Sequence, residues 1–129
     1  MATIRKEFTI ARSPEDVWDA YRDFGAVHTR LARGFVTDTK LEPGARIVTF
    51  ANGLTAREKL VTMDDAARRI VYAIHDSPNL EHYSASAQVF DDGRGSRVVW
   101  TVDLLPDSMA GAIGGMMDAG VEAMRGTLE

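Results

Sequence analysis

Cysteine is missing from all 129 residues. That removes disulfides, thiol nucleophiles and thiolate metal sites from consideration in one step. No apolar run reaches the length of a membrane span, so membrane insertion is not expected. Basic residues are also in short supply: 15 Lys and Arg stand against 19 Asp and Glu, a net charge of −4, and they are scattered rather than run together. A broad surface for nucleic acid or an anionic membrane is therefore not expected. The N-terminus is charged by Arg5 and lacks the apolar core of a signal peptide. Repeats, low-complexity segments and linkers are absent as well. These absences lead to the expectation of a cytoplasmic protein.

What is present suits one globular domain spanning residues 1–129, with 45% apolar and 26% charged residues. The C-terminal stretch Pro106 to Glu129 reads as the longest helix. Met109, Ile113, Met116, Met117, Val121, Met124 and Leu128 recur at spacings of three and four, while Asp118, Glu122 and Arg125 fall opposite. Five glycines in the same run each cost about 1 kcal/mol of helix propensity relative to Ala. Such a helix needs something packed along its methionine face.

At the other end, Thr3 to Ala11 alternates, with Ile4, Phe8 and Ile10 on one face, as a half-buried strand does. Ser13-Pro14-Glu15-Asp16 opens a helix: a Ser cap, Pro at the first position, and acids beside the positive end of the dipole. Val17, Trp18, Tyr21 and Phe24 supply its buried side, and Gly25 ends it. Ala26 to Ala32 reads as a second short helix. From Phe35 onward six strands follow: Phe35–Glu42, Arg46–Ala51, Leu54–Met63, Arg69–His75, Tyr83–Phe90 and Arg97–Leu105. They are punctuated by Pro43-Gly44, Asn52-Gly53, Asp64-Asp65, Ser77-Pro78-Asn79 and Asp91-Asp92-Gly93. Turn signals every ten to twelve residues, with no helix between, make the strands antiparallel. The expected fold class is α+β: a curved seven-stranded antiparallel sheet gripping the long C-terminal helix, with two short helices after strand 1.

The run Ser13-Pro14-Glu15-Asp16-Val17-Trp18, then Asp23-Phe24-Gly25, Asn52-Gly53, Glu58, Met63-Asp64-Asp65, Tyr72, Tyr83-Ser84 and Trp100, resembles the START/Bet v 1-like (SRPBCC) superfamily. More narrowly it resembles the bacterial polyketide cyclase/dehydrase and lipid-transport family. The resemblance covers the whole chain and implies the helix-grip fold. Its functional implication is broad, since the fold hosts binders, carriers and a few enzymes. Asn52 to Leu60 and Asn79 to Ser84 also look like the gate and latch regions of the plant abscisic acid receptors. There the acid matching Glu58 and the phenol matching Tyr83 line the pocket. The lysine that pairs with the hormone carboxylate has no counterpart, its place falling near Thr37, so hormone binding is not implied.

Strand parity points Glu58 inward among Leu54, Ala56 and Leu60, where a carboxylate needs a donor. Arg46, in register with Val48, is the natural partner across the hairpin. Glu58 is either a polar anchor or acid/base, or half of a structural ion pair. Tyr83 shares parity with Ala85, Ala87 and Val89, small residues that leave room above the sheet; it is either a ligand anchor or a core tyrosine. Glu58, Tyr83 and His28 are the catalytic candidates, His28 being more ordinary as a surface residue. The ligand-lining expectation comprises Phe50, Leu54, Glu58, Tyr72, Leu80, Tyr83, Trp100, Ile113, Met116, Met117 and Gly120. Gly120 is expected to leave a notch in the methionine face. His28, His75 and His82 lack ligand spacing, so no metal is expected, and no residue pattern calls for a cofactor. Gly111 and Gly115 form a GxxxG pair that could bring two helices together in a homodimer, although a loose, exposed helix explains it as well.

The function expected from these residues is binding of a small, mostly hydrophobic ligand between sheet and helix. The alternatives are a polyketide-type cyclase or dehydratase using Glu58 as acid/base, and a pocketless module that binds a partner.

Overall fold

Alternation in the first residues produces the edge strand Ala2–Ile10 (β1), with Phe8 and Ile10 buried and Thr3, Arg5 and Glu7 exposed in a computed structural model that describes residues 1–129. Ser13 caps the next element as its sequence requires: its hydroxyl accepts from Asp16 N–H at 3.1 Å and opens the helix Pro14–Arg22 (α1). Val17, Trp18 and Tyr21 are buried on its inner side. The expected second helix over Ala26–Ala32 is instead a single π-turn, Val27–Leu31, in which Ala32 N–H donates to the Val27 oxygen at 2.8 Å. Between Gly25 and Gly34 the chain has room for one wide turn rather than a propagating helix.

Six strands then run as a meander: Val36–Glu42 (β2), Ala45–Phe50 (β3), Thr55–Asp64 (β4), Arg69–Ala73 (β5), His82–Asp91 (β6) and Ser96–Leu105 (β7). All neighbouring pairs are antiparallel, and β1 closes onto β7 to give the order β1-β7-β6-β5-β4-β3-β2. Gly44 and Gly53 take positive φ at the two turns the sequence marked, which L-residues with a side chain rarely tolerate. A bulge in β4 between Leu60 and Thr62 throws Val61 outward and returns Met63 to the inner face.

The long helix Ala110–Leu128 (α2) begins later than the expected Pro106. Pro106 is extended, and a 3₁₀ turn over Asp107–Met109, closed by Met109 N–H on the Pro106 oxygen, leads into it. Met117, Met124 and Leu128 are buried against the sheet, and Lys6 on β1 reaches Asp118 at 2.8 Å along the helix's flank. Gly111 and Gly115 face open space. No helix is long and apolar enough to cross a membrane.

Two polar ties fasten α1 to the sheet. Asp65, in the β4–β5 turn, accepts from the Trp18 indole at 2.9 Å and from Arg22 Nε at 2.9 Å. Arg22 and the indole both favour the charged carboxylate and hold the Asp65 pKa below its ordinary range. At the opposite end of α1, Ser96 Oγ donates to the Arg12 oxygen at 2.7 Å. Gly95, just before it, lies so close to the β1 terminus that a methyl group would collide with the Ile10 carbonyl oxygen. Gly95→Ala is therefore expected to destabilise the fold by about 1–3 kcal/mol, as overpacking against backbone does. A urea midpoint equal to that of the parent protein would show that the β1–β7 closure is looser than described.

Candidate functional site

The antiparallel meander decides where a cavity can open. The β3–β4 turn, the β5–β6 loop and the start of α2 all lie at one end of the sheet, and they frame a mouth through Leu54, Thr55, residues 76–80, Met109 and Ile113. Behind it, a cavity of about 470 Å³ lies between sheet and helix, and 23 of its 31 lining residues are hydrophobic, so its walls are largely apolar. Its floor comes from the inward faces of the central strands, among them Ile70, Tyr72, Tyr83, Ala87 and Trp100; its roof is Ile113, Met116, Met117 and Met124. The small Ala87 on β6 keeps the floor low, and unbranched methionines make the roof adaptable. Leu54, 60% exposed, stands at the rim.

Inside this apolar lining lies one buried ion pair. Arg46 on β3 and Glu58 on β4 are directly opposite each other in the hairpin register, and Arg46 Nε donates to Glu58 Oε1 at 2.7 Å. Both side chains are buried. The guanidinium is held further by Nη1 donating to the Phe24 oxygen at 3.3 Å, and it lies 4.2 Å from the Phe24 ring centre and 5.0 Å from that of Tyr72. It is fixed on three sides.

Three tyrosines line the cavity. Burial pushes the Tyr21, Tyr72 and Tyr83 hydroxyls well above the ordinary phenol range, and for Tyr72 and Tyr83 the nearby Glu58 carboxylate adds to the rise. They are neutral donors and acceptors, not bases. Tyr21 spends its hydrogen on Met124 Sδ at 3.2 Å. The Trp100 indole N–H is buried without a partner.

Of the residues the sequence nominated, Phe50, Leu54, Glu58, Tyr72, Leu80, Tyr83, Trp100, Ile113, Met116 and Met117 all line this cavity. Two do not. Gly120 is buried on the inner side of α2, but its notch is already filled: an added Cβ would lie 3.1 Å from two Trp100 ring carbons and 3.3 Å from Phe35. The glycine lets the helix settle onto the indole. His28 sits in the π-turn, away from the cavity lining, with a buried, unpartnered Nδ1. Sequence reasoning missed the inner end, formed by Tyr21, Val27, Leu31, Phe35 and Val36. Tyr21 lay on a readable helix face, but nothing local marked Val27 or Leu31 as more than core. The Phe35 and Phe50 rings meet edge-on with centroids 5.3 Å apart, a contact between the turn before β2 and the end of β3 that only the tertiary structure creates. No cluster of His, Asp and Glu suited to a metal occurs.

A sheet gripping one long helix over a largely apolar cavity is the arrangement of the START/Bet v 1-like proteins. The chain belongs to the polyketide cyclase/dehydrase and lipid transport family, whose model matches residues 1–129. Among solved structures, the Bacillus cereus protein XoxI superimposes with a TM-score of 0.87 at 24% identity, over 99% of this chain and 96% of its own. A Thermobifida fusca protein gives 0.80 at 29% identity, over 99% and 93%. A norcoclaurine synthase point mutant from Thalictrum flavum, solved with a transition-state analogue, gives 0.70 at 20% identity, over 98% and 93%. The first and third show the fold alone. None of the curated proteins matches the chain. Together, family and cavity identify a hydrophobic-ligand site of the kind this superfamily builds.

Removing one member of a buried ion pair strands the other. Glu58→Leu alone is expected to cost about 3–5 kcal/mol in chemical unfolding, whereas Arg46→Met combined with Glu58→Leu should recover most of that loss. A double variant no more stable than the single would show that the two charges are not each other's main partners. Gly120→Leu must push the Trp100 indole or the helix aside, and is expected to lower stability by about 1–3 kcal/mol. An undisturbed melting curve for that variant would mean that the notch is open.

Proposed function

We propose that the protein binds a small, largely hydrophobic molecule carrying one or two oxygen functions, held between the sheet and α2. The observation that carries this reading is the Arg46–Glu58 pair closed within an apolar cavity of about 470 Å³. A cavity of that size and lining suits a small molecule, and the few polar groups within it can orient one end of the ligand. A module without a pocket does not fit this geometry.

Proton-transfer chemistry of the cyclase or dehydratase type has less support. Glu58 would be its acid/base, yet Arg46 holds the carboxylate at 2.7 Å. Neither other candidate is poised to pass a proton: His28 does not line the cavity, and burial keeps the Tyr83 proton in place.

Native mass spectrometry of the protein purified from its own host tests the proposal. The expected result is a retained small molecule that organic solvent extracts and that Ala87→Leu, which raises the cavity floor, no longer holds. Detection of the bare protein mass alone, together with no binding of apolar fluorescent compounds, would overturn it.

A further inference from the structure

Around Glu58 the protein leaves polar atoms for which it provides no partner. Glu58 Oε1 accepts from Arg46 Nε, and Oε2 takes part in no side-chain hydrogen bond of the protein. The hydroxyls of Tyr72 and Tyr83 form no side-chain hydrogen bond within the protein and are not among its sealed, unpartnered atoms, which are His28 Nδ1, Thr39 Oγ1 and Trp100 Nε1, although the two residues are only 7% and 8% exposed. These residues share the cavity wall, and the Arg46 guanidinium that holds Glu58 lies 5.0 Å from the centre of the Tyr72 ring. The Trp100 indole N–H, on the same cavity wall, is buried and also without a partner. The other polar groups of the lining are either bonded or stand at the mouth, as Thr55, Asp76, Ser77 and Asn79 do. The Tyr21 hydroxyl goes to Met124, while Arg57 at the mouth pairs with Glu42 at 2.8 Å and Asp76 at 3.8 Å.

This inventory discriminates among ligand head groups. A ketone or ether offers only acceptors: it can satisfy a tyrosine hydroxyl, but it excludes water from Glu58 Oε2 and gives that oxygen nothing in return. A carboxylate sets a second anion against Glu58. An ammonium meets a guanidinium that already neutralises the carboxylate and is fixed on three sides. A hydroxyl group suits both needs, because it donates and accepts at the same oxygen.

We propose that the cavity selects neutral apolar alcohols or phenols, whose hydroxyl donates to Glu58 Oε2 and accepts from the hydroxyl of Tyr72 or Tyr83. The selection rests on the ligand-binding reading above and adds the chemical class. The neutral carboxylate–guanidinium pair then acts as a fixed acceptor, held in place by Phe24 and by the strand register.

Fluorescence titration at neutral pH with 1-hydroxypyrene, 1-methoxypyrene, 1-pyrenecarboxylate and 1-aminomethylpyrene tests the class. The phenol is expected to bind about ten- to hundredfold more tightly than its methyl ether, the yield of a hydrogen bond to a charged acceptor. In the Arg46→Met/Glu58→Leu double variant that ratio should fall to about one, with the ether's affinity little changed. Tyr83→Phe, which keeps the ion pair, serves as a second reading if the double variant does not fold, and it should reduce the phenol's advantage severalfold. Equal binding of phenol and ether would overturn the selection while leaving the binding site intact. Tighter binding of the carboxylate or the amine would overturn it in favour of a charged ligand. No binding by any of the four, with no molecule retained from the host, would overturn the selection and the binding reading together.

Discussion

The Arg46–Glu58 pair is the constraint around which the domain arranges itself. Two opposite charges on the inner face of a sheet must be adjacent, or each pays the cost of an unpaired buried ion. Adjacency fixes the β3–β4 register, and that register in turn fixes which residues of β4 face the helix: Ala56, Glu58 and Leu60 inward, Arg57 and Lys59 outward. A slip of one residue would expose the pair's partner face and bury Arg57. Phe24 contributes both its ring and its carbonyl oxygen to Arg46, so the same guanidinium ties the end of α1 to the sheet. One polar contact thus joins hairpin, helix and cavity wall.

Why a cavity persists follows from what flanks that contact. Ala85 and Ala87 lie side by side with Tyr72 and Ile70 across the β5–β6 pairing, so the floor is made of alternately large and small side chains. The Trp100 indole props α2 at Gly120, while Met116 and Met117 span the gap without branching into it. The helix approaches closely at the glycine and stands off elsewhere. A helix with a bulky residue at position 120 would ride higher on the indole. One with leucines in place of the methionines would present a stiffer roof to any ligand.

Much of this could be read from the chain because it depends on local rules. Asn52-Gly53 marks a turn, and alternation puts Arg46 and Glu58 on the same face of the hairpin; the pairing itself, Thr49 with Thr55 and Arg46 with Glu58, is centred on Asn52 and differs by one residue from that of a two-residue Asn52-Gly53 loop. Ser13 declares the start of α1 through the chemistry of its own hydroxyl. The inward set along β4, β6 and β7 follows from period-two alternation, and the α2 face from period 3.6. The failures share the opposite character. Gly120 appeared as an empty notch because the residues that fill it, Phe35 and Trp100, come from segments far away in sequence. The π-turn at Val27–Leu31 and the bulge at Val61 break periodicity over a few residues, below what a pattern can resolve. His28 carried chemical promise by residue type alone, and type does not say which way a turn faces.

The polar wall and the empty space also depend on one another. Kept dry and unfilled, 470 Å³ would forfeit on the order of 10 kcal/mol of packing, comparable with the whole stability of a domain this size. The open mouth at Leu54, residues 76–80 and Met109 lets water relieve part of that deficit. Water entering there would find several polar partners only around Glu58 Oε2 and the Tyr72 and Tyr83 hydroxyls, not along the methionines. A ligand must displace the water from this corner to use the apolar space beyond it. The apolar walls reward any molecule of suitable size. The corner rewards only one that replaces what the water was doing, and selectivity arises there because the protein has committed the Arg46 guanidinium to Glu58 and Phe24 and left the remaining valences to the occupant.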